Sequence, residues 1–302
     1  MKRRKFIKQT SAGFAFASIG GLTLQSCDTR QKQITILHTN DTHSQIEPFA
    51  SNHHRHANKG GVARRAMMVE AIRKENPNTL LLDAGDIFQG TPYFNYFGGE
   101  IEFKLMSLLK YDAATLGNHD FDNSIEGFNK QLPNAKFDFV CANYDFKNTL
   151  LDTKVKPYKI FYKDGIKIGV FGLGIELLNL VSPDLYKETK YLNPLEIAQD
   201  ISRELKEKKA CDLIICLSHL GYQYMDSQKV SDLKLAAATK NIDLIIGGHT
   251  HTFLPKPTVV KNLNDENMLV NQVGAYGINL GRVDFYFDEH KNKKTSDKTI
   301  IL

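Results

Sequence analysis

Ala113-Ala114-Thr115-Leu116-Gly117-Asn118-His119-Asp120-Phe121-Asp122 passes from an apolar stretch straight into a turn crowded with metal-type side chains. Four other places repeat the pattern. Ile36-Leu37-His38-Thr39 leads into Asn40-Asp41-Thr42-His43, and Leu80-Leu81-Leu82-Asp83 leads into Ala84-Gly85-Asp86. Leu213-Ile214-Ile215-Cys216-Leu217 leads into Ser218-His219, and Leu244-Ile245-Ile246 into Gly247-Gly248-His249-Thr250-His251. Short runs rich in Val, Ile and Leu read as strands buried on both faces. In an open α/β sheet, ligands collect at the carboxyl ends of such strands, so the five turns can converge on one rim. Of the 10 histidines, His43, His119, His219, His249 and His251 lie in these turns, too many for chance placement.

The ligand types select the chemistry. No cysteine belongs to the set, which argues against a structural zinc knot. Mixed Asp, His and Asn ligands suit Mn²⁺, Zn²⁺, Fe or Co at a hydrolytic site with positions left open for water and substrate. Asp86 is the best bridging carboxylate, because its two oxygens can each bind one ion. Any one turn alone reads equally well as a satisfied core histidine or a turn aspartate. The five in this order argue for a metal centre.

Further strand-like runs lie at 137–142, 166–173, 268–273 and 283–287. Helical spacing appears at 61–74, with Val62, Ala66, Met67, Val69 and Ile72 near one stripe, and at 194–209, where Asn193 is a candidate cap and Pro194 takes the first helical position. The alternation predicts an α/β domain with largely parallel strands. There is no internal repeat and no low-complexity linker. The polar stretch 289–302 reads as a loose, solvated tail. His53, His54 and His56 read as a solvated loop and His38 as core; Phe94, Tyr96 and Phe97 are better suited to aromatic packing than to a substrate lid. Cys141 and Cys216 sit in apolar runs and read as buried small hydrophobes.

Residues 1–26 are set apart. Arg3-Arg4-Lys5-Phe6-Ile7-Lys8 is a twin-arginine stretch, followed at 14–24 by an apolar segment too short to cross a membrane as a helix of roughly 20 residues. It ends at Leu24-Gln25-Ser26-Cys27, which resembles a bacterial lipobox and makes Cys27 the expected lipidation site. The expectation is an exported lipoprotein of the periplasm or cell envelope, with 27–33 as a short tether. Without residues 1–26 the chain carries 34 basic against 34 acidic residues. That balance offers no electrostatic case for a nucleic-acid polymer as partner.

The order Asp-x-His, Gly-Asp, Gly-Asn-His-Asp, His, Gly-His-x-His resembles the calcineurin-like metallophosphoesterases. Gly60-Gly61-Val62-Ala63-Arg64, Ala84-Gly85-Asp86-Ile87-Phe88-Gln89-Gly90-Thr91 and Gly117-Asn118-His119-Asp120-Phe121-Asp122 are closer still to their bacterial 5′-nucleotidase branch. The resemblance covers residues 34–288 and implies a four-layer αββα sandwich with two divalent metal ions at one rim. Asp41, His43, Asp86 and His251 would hold one ion; Asp86, Asn118, His219 and His249 would hold the other. His119 would be the catalytic histidine, oriented by Asp122. Asp120 stands where the family often has Glu and is not expected to touch metal.

The implied activity is hydrolysis of phosphate esters, of 5′-nucleotidase or 2′,3′-cyclic phosphodiesterase type. Two ions can orient the phosphoryl group, neutralise its charge and bring the pKa of water down to about 7. A thiosulfohydrolase of the same branch and a non-catalytic metal-binding subunit are the alternatives; the presence of His119 argues against the second. The two-domain nucleotidases follow this domain with another that grips phosphate and base. The sequence reaches Leu302 soon after the run at 283–287, so either a separate chain supplies that half, the favoured expectation, or the enzyme takes small phosphate esters with little regard for the leaving group. Alone it is expected to discriminate little among adenosine, guanosine and uridine monophosphates.

Overall fold

The apolar runs become the strands of two six-stranded sheets. A computed structural model describes residues 31–226 and 228–302; the expected export segment, Cys27 and most of the tether lie outside the described residues. Along the chain run β1 (Lys32–Thr39), α1 (Val62–Glu75), β2 (Thr79–Asp83), α2 (Pro92–Phe97), α3 (Glu100–Leu108), β3 (Ala113–Ala114), α4 (Ser124–Gln131) and β4 (Asp138–Phe139). Then come β5 (Tyr144–Asp145), β6 (Tyr158–Lys163), β7 (Ile166–Leu173), α5 (Pro183–Tyr186), β8 (Lys190–Tyr191), α6 (Pro194–Arg203) and β9 (Leu213–Ser218). The series closes with α7 (Asp232–Ala238), β10 (Leu244–Gly247), β11 (Thr258–Lys261), β12 (Asn267–Asn271), β13 (Asn279–Phe287) and β14 (Lys293–Ile301).

The first sheet runs β14-β13-β1-β2-β3-β4, the second β11-β12-β10-β9-β7-β6. The strands β1 to β4 are parallel, as are β12, β10, β9 and β7; the antiparallel strands flank them. Period-two alternation divides the side chains between layers. Ile34, Ile36, Leu80 and Leu82 face Ile215, Leu217, Leu244 and Ile246 in a core between the sheets. Leu37 and Leu81 point the other way, into a core with Val69 of α1, Phe103 of α3 and Phe128 of α4. Ile214 and Ile245 meet Ala198 of α6 and Leu235 of α7. Three apolar layers between four structural ones make the αββα sandwich. Each fully buried Leu or Ile contributes about 1.5–3 kcal/mol of transfer energy, so the hydrophobic term resides in these layers.

Several expectations change in detail. The 289–302 stretch is not a loose tail: β14 pairs along its length with β13. It was illegible because an edge strand is held by backbone hydrogen bonds on one side while its side chains, here mostly polar and exposed, face water. The edge strands β6 and β11 also went unread, because their short runs mix apolar and polar residues that are only partly buried. On α1 the buried face is Val62, Arg65, Val69 and Ile72, whereas Met67 is exposed. The 194–209 helix is α-helical only to Arg203 and continues as a π-turn over Glu204–Lys208. The Asn193 side chain does cap it, accepting from the Leu195 and Glu196 N–H groups. His38, Cys141 and Cys216 are buried, and so is Cys211; these three thiols are unpaired.

Candidate active site

Both sheets contribute to one rim. The loops after β1, β2 and β3 come from the first sheet, those after β9 and β10 from the second. The β1 and β2 loops run side by side: Asp41 N–H donates to Gly85 O at 2.9 Å, His43 N–H to Asp86 O at 3.1 Å and Ser44 N–H to Ile87 O at 2.9 Å. Asp41, His43, Asp86, His249 and His251 all adopt positive φ, between 47° and 71°. Non-glycine residues in that region cost roughly 1–3 kcal/mol each and persist only where surrounding structure imposes them. Gly117 allows the β3 loop to close on this point, since a Cβ there would strike Asp86 Oδ1.

Two clusters result. Asp41, His43 and His251 bring one ligand atom each to a common point, and Asp86, His219 and His249 do the same beside them. His43 Nε2 lies 2.9 Å from His251 Nε2, and His251 Nε2 lies 3.3 Å from Asp41 Oδ1. Asp86 Oδ2 faces both clusters, 3.0 Å from His219 Nε2 and 3.9 Å from His43 Nε2, while Asp86 Oδ1 accepts the His119 N–H at 2.8 Å. Asn118 joins the second cluster, its Oδ1 2.9 Å from His249 Nδ1.

The donor set fits divalent cations. His43 Nδ1 is within reach of Phe88 O at 3.3 Å and His219 Nδ1 of Ala84 O at 2.6 Å. Donating from Nδ1 to a carbonyl leaves each Nε2 lone pair aimed inward, the arrangement of a metal-ligating histidine. His43 Nε2 and His251 Nε2, 2.9 Å apart, call for a cation or a shared proton between them. Ligand atoms spaced near 3 Å suit metal–nitrogen bonds of about 2.0–2.1 Å. His219 Nε2 is buried and faces Asp86 Oδ2 at 3.0 Å without the geometry of a hydrogen bond, a second sign of an atom set to bind a cation. Burial works against charge on His219, yet the Asp86 carboxylate raises its pKa to about 10. Burial and the neighbouring His219 hold His249 down at about 4. A cation would replace the His219 proton and relieve the same concentration of negative charge.

His119 stands apart from both clusters. Its Nδ1 is 2.8 Å from Asp122 Oδ2, its ring meets His43 edge-on at 5.4 Å, and its side chain is 41% exposed. The hydrogen bond to Asp122 raises its pKa despite partial burial. Its ring is the most exposed of the ion-paired histidines at the rim, with Asp122 behind it.

Several positioning residues escaped the sequence reading. Asp120 is buried, and its carboxylate accepts four backbone N–H groups: Gly117 at 2.8 Å, Asp86 at 3.0 Å, Ile87 at 2.9 Å and Phe88 at 3.2 Å. Its distance from the ligands was anticipated; its role as the clamp joining the β2 and β3 loops was not. Asn40 donates to Asp41 Oδ2 and to Gly274 O, both at 2.6 Å, and accepts from Val273 N–H at 3.0 Å. Gln272 donates to Gly248 O at 2.6 Å and accepts from Thr252 N–H. Tyr276 sets its ring edge-on to His251 at 5.7 Å and tilted against His43 at 5.8 Å. Of the three aromatics expected to pack, Phe94 does, 5.3 Å from Phe88, and Phe97 lies nearly parallel to Tyr93 at 6.5 Å while 48% exposed; Tyr96 is 84% exposed.

Residues 34–253 match the calcineurin-like phosphoesterase family. A trifunctional nucleotide phosphoesterase protein of Bacillus subtilis is 34% identical over 88% of this chain, which spans 19% of that protein. Rat 5′-nucleotidase is also 34% identical over 89% of the chain, which spans 49% of its length. Among solved structures, a 5′-nucleotidase precursor from Thermus thermophilus superposes with a TM-score of 0.79 at 33% identity, covering 90% of this chain and 55% of that one. The chain thus spans about half, or less, of the length of these relatives. Its sandwich, its two rim clusters and its match over residues 34–253 place it in the calcineurin-like phosphoesterase family.

Proposed function

We propose that this protein hydrolyses phosphate esters of nucleotide type at a dinuclear metal centre. Asp41, His43, Asp86 and His251 hold one cation, and Asp86, Asn118, His219 and His249 hold the other. When bound, two such cations supply a water of lowered pKa and neutralise the charge of the phosphoryl group. The chain's own contribution to the chemistry is His119. Asp122 takes the Nδ1–H, which fixes the tautomer and leaves Nε2 to carry the second proton outward. The imidazolium then donates from Nε2 to a phosphoryl oxygen or to the leaving oxygen as charge develops there. Its raised pKa keeps that proton available near neutral pH.

The carrying observation is the pair of ligand clusters facing one shared carboxylate, with the His119–Asp122 pair beside them. The nucleotide specificities of the relatives support the substrate class. Turnover of p-nitrophenyl phosphate, its bis-ester and adenosine monophosphate by the Mn²⁺-loaded protein tests the reading. His119→Asn should keep the metal and lower kcat by about 10²–10⁴-fold. Absence of turnover on all three esters with Mn²⁺, Zn²⁺ and Co²⁺ in turn would refute it. We further propose export by the twin-arginine route and lipid attachment at Cys27, supported by the Arg3-Arg4 and Leu24-Gln25-Ser26-Cys27 wording.

A further inference from the structure

Three loops carry aromatic rings away from the ligand clusters in an unbroken series. Tyr276, in the loop after β12, touches the rings of His43 and His251. Phe49, in the loop after β1, meets Tyr276 edge-on at 5.8 Å and His53 and His56 at 4.5 and 5.4 Å. His56 in turn lies nearly parallel to Phe253, 19° between planes and 6.1 Å between centroids. Phe253 is 46% exposed, yet its backbone is fixed. It bridges to Val273, between the Gly274 N–H to Thr252 O bond of 3.0 Å and the Leu254 N–H to Gln272 O bond of 3.2 Å. Its ring also lies over Gly274, where a Cβ would collide with it. Folding thus holds a large apolar ring in water, two residues beyond His251, a backbone span of at most about 7 Å.

The loop histidines are not arranged as ligands. Among the described residues, the close-set groups of ligand atoms are the two at the rim. His53 Nδ1 already accepts the His56 N–H at 3.0 Å and the Arg55 N–H at 3.3 Å. Burial and the neighbouring His53 lower the His56 pKa, so that ring is neutral and suited to stacking.

We infer that Phe253, backed by His56 and reached from the ligand clusters past Tyr276, is a stacking wall for the heteroaromatic base of a nucleoside monophosphate. The inference rests on the phosphoesterase reading above and adds a contact for the leaving group within this domain. The backbone span from His251 to Phe253, at most about 7 Å, is comparable with the reach of the one pentose that joins phosphate to base in such an ester. Stacking accepts any base, since each offers a π-face, so the wall should favour base-bearing esters over base-free ones without choosing among bases.

The test compares kcat/KM for adenosine monophosphate and ribose 5-phosphate on the Mn²⁺-loaded protein, with the Kd of adenosine measured separately by NMR titration. Phe253→Ala should lower the ratio of the two kcat/KM values by about 5–100-fold, the usual range for one stacked base, and weaken adenosine comparably. Phe253→Tyr should restore both. Phe253→Leu, which keeps apolar volume without a π-face, should behave like the alanine variant and serves if that one fails to fold. An unchanged ratio and unchanged adenosine Kd in a folded Ala or Leu variant would overturn the inference. Adenosine binding lost with Phe253, in a protein that cleaves neither ester, would uphold the wall and refute the phosphoesterase reading instead.

Discussion

Replacing Asp120 by Asn tests how the site is held. The carboxylate is buried and accepts four N–H bonds, two on each oxygen: Gly117 and Asp86 on Oδ2, Ile87 and Phe88 on Oδ1. An asparagine keeps one acceptor oxygen and turns an NH₂ group toward the other two donors. Two backbone N–H groups then face a donor in a site closed to water. Each buried unsatisfied group costs about 1–3 kcal/mol, so the variant should lose roughly 2–6 kcal/mol. For a domain of this size that is a fall in Tm of roughly 5–20 °C. Asp120→Glu, which restores the residue the family often has, keeps all four acceptor contacts in principle and faces only the crowding of one methylene, about 1–3 kcal/mol. Whichever oxygen is replaced, the Asp86–Phe88 turn loses at least one backbone tether, so metal affinity should weaken although no candidate ligand has changed. Urea unfolding of the metal-free proteins gives the stability, and Mn²⁺ titration gives the affinity. If Asp120→Asn costs less than about 1 kcal/mol and binds Mn²⁺ like the parent, the clamp argument is wrong.

Asp86→Asn should deplete both ions and His43→Ala mainly one, read by elemental analysis; two metals retained by the Asp86 variant would remove its bridging role. Asp122→Asn should move the alkaline limb of kcat to lower pH. The Asp122 hydrogen bond raises the His119 pKa, activity that needs the imidazolium is complete below that pKa and lost above it, and deleting the carboxylate lowers it. A limb that stays in place would show that His119 does not act as the acid. Arg3→Lys with Arg4→Lys should block export, and Cys27→Ala should release the protein from the membrane fraction; a Cys27→Ala product that still sediments with membranes counts against the lipid anchor.

What the sequence disclosed, and what it hid, divide along a physical line. The ligand turns were legible because each is written within a few consecutive residues after an apolar strand. The inner strands were legible because burial on both faces leaves a run of Leu, Ile and Val. The edge strands β6, β11 and β14 were not, since partial burial leaves β6 and β11 mixed in pattern, and β14 is held mainly by main-chain bonds that any residue can make. The residues that hold the ligands were hidden for another reason. Asn40 reaches Gly274 across 234 positions, and Asp120 reaches Ile87 across 33. No local pattern distinguishes a clamp from a polar loop residue until the fold has brought its partners together. Tyr276 and Phe253 were missed in the same way.

That division bears on how the centre works. Five candidate ligand positions sit at positive φ. At roughly 1–3 kcal/mol each, such backbone would relax if the loops were free. It is retained because neighbouring loops restrain it from several sides at once. Asp120 holds the Asp86 turn, Asn40 ties the Asp41 turn to the Gly274 turn, and Asp41 itself accepts the His249 N–H on both oxygens at 3.0 and 3.1 Å. Gln272 braces the strand end from which His249 and His251 project. Each restraint joins two different loops, so the ligand geometry belongs to the assembled rim rather than to any one turn. Two consequences follow. Changes at these clamps can disable the centre while leaving every ligand in the sequence intact. Conversely, a substitution at a candidate ligand that preserves the clamps, such as His43→Ala, should leave the other cluster in place, because Asp86, His219 and His249 are held by Asp120, Ala84 and Asn118, and from His43 only by a backbone N–H that alanine keeps.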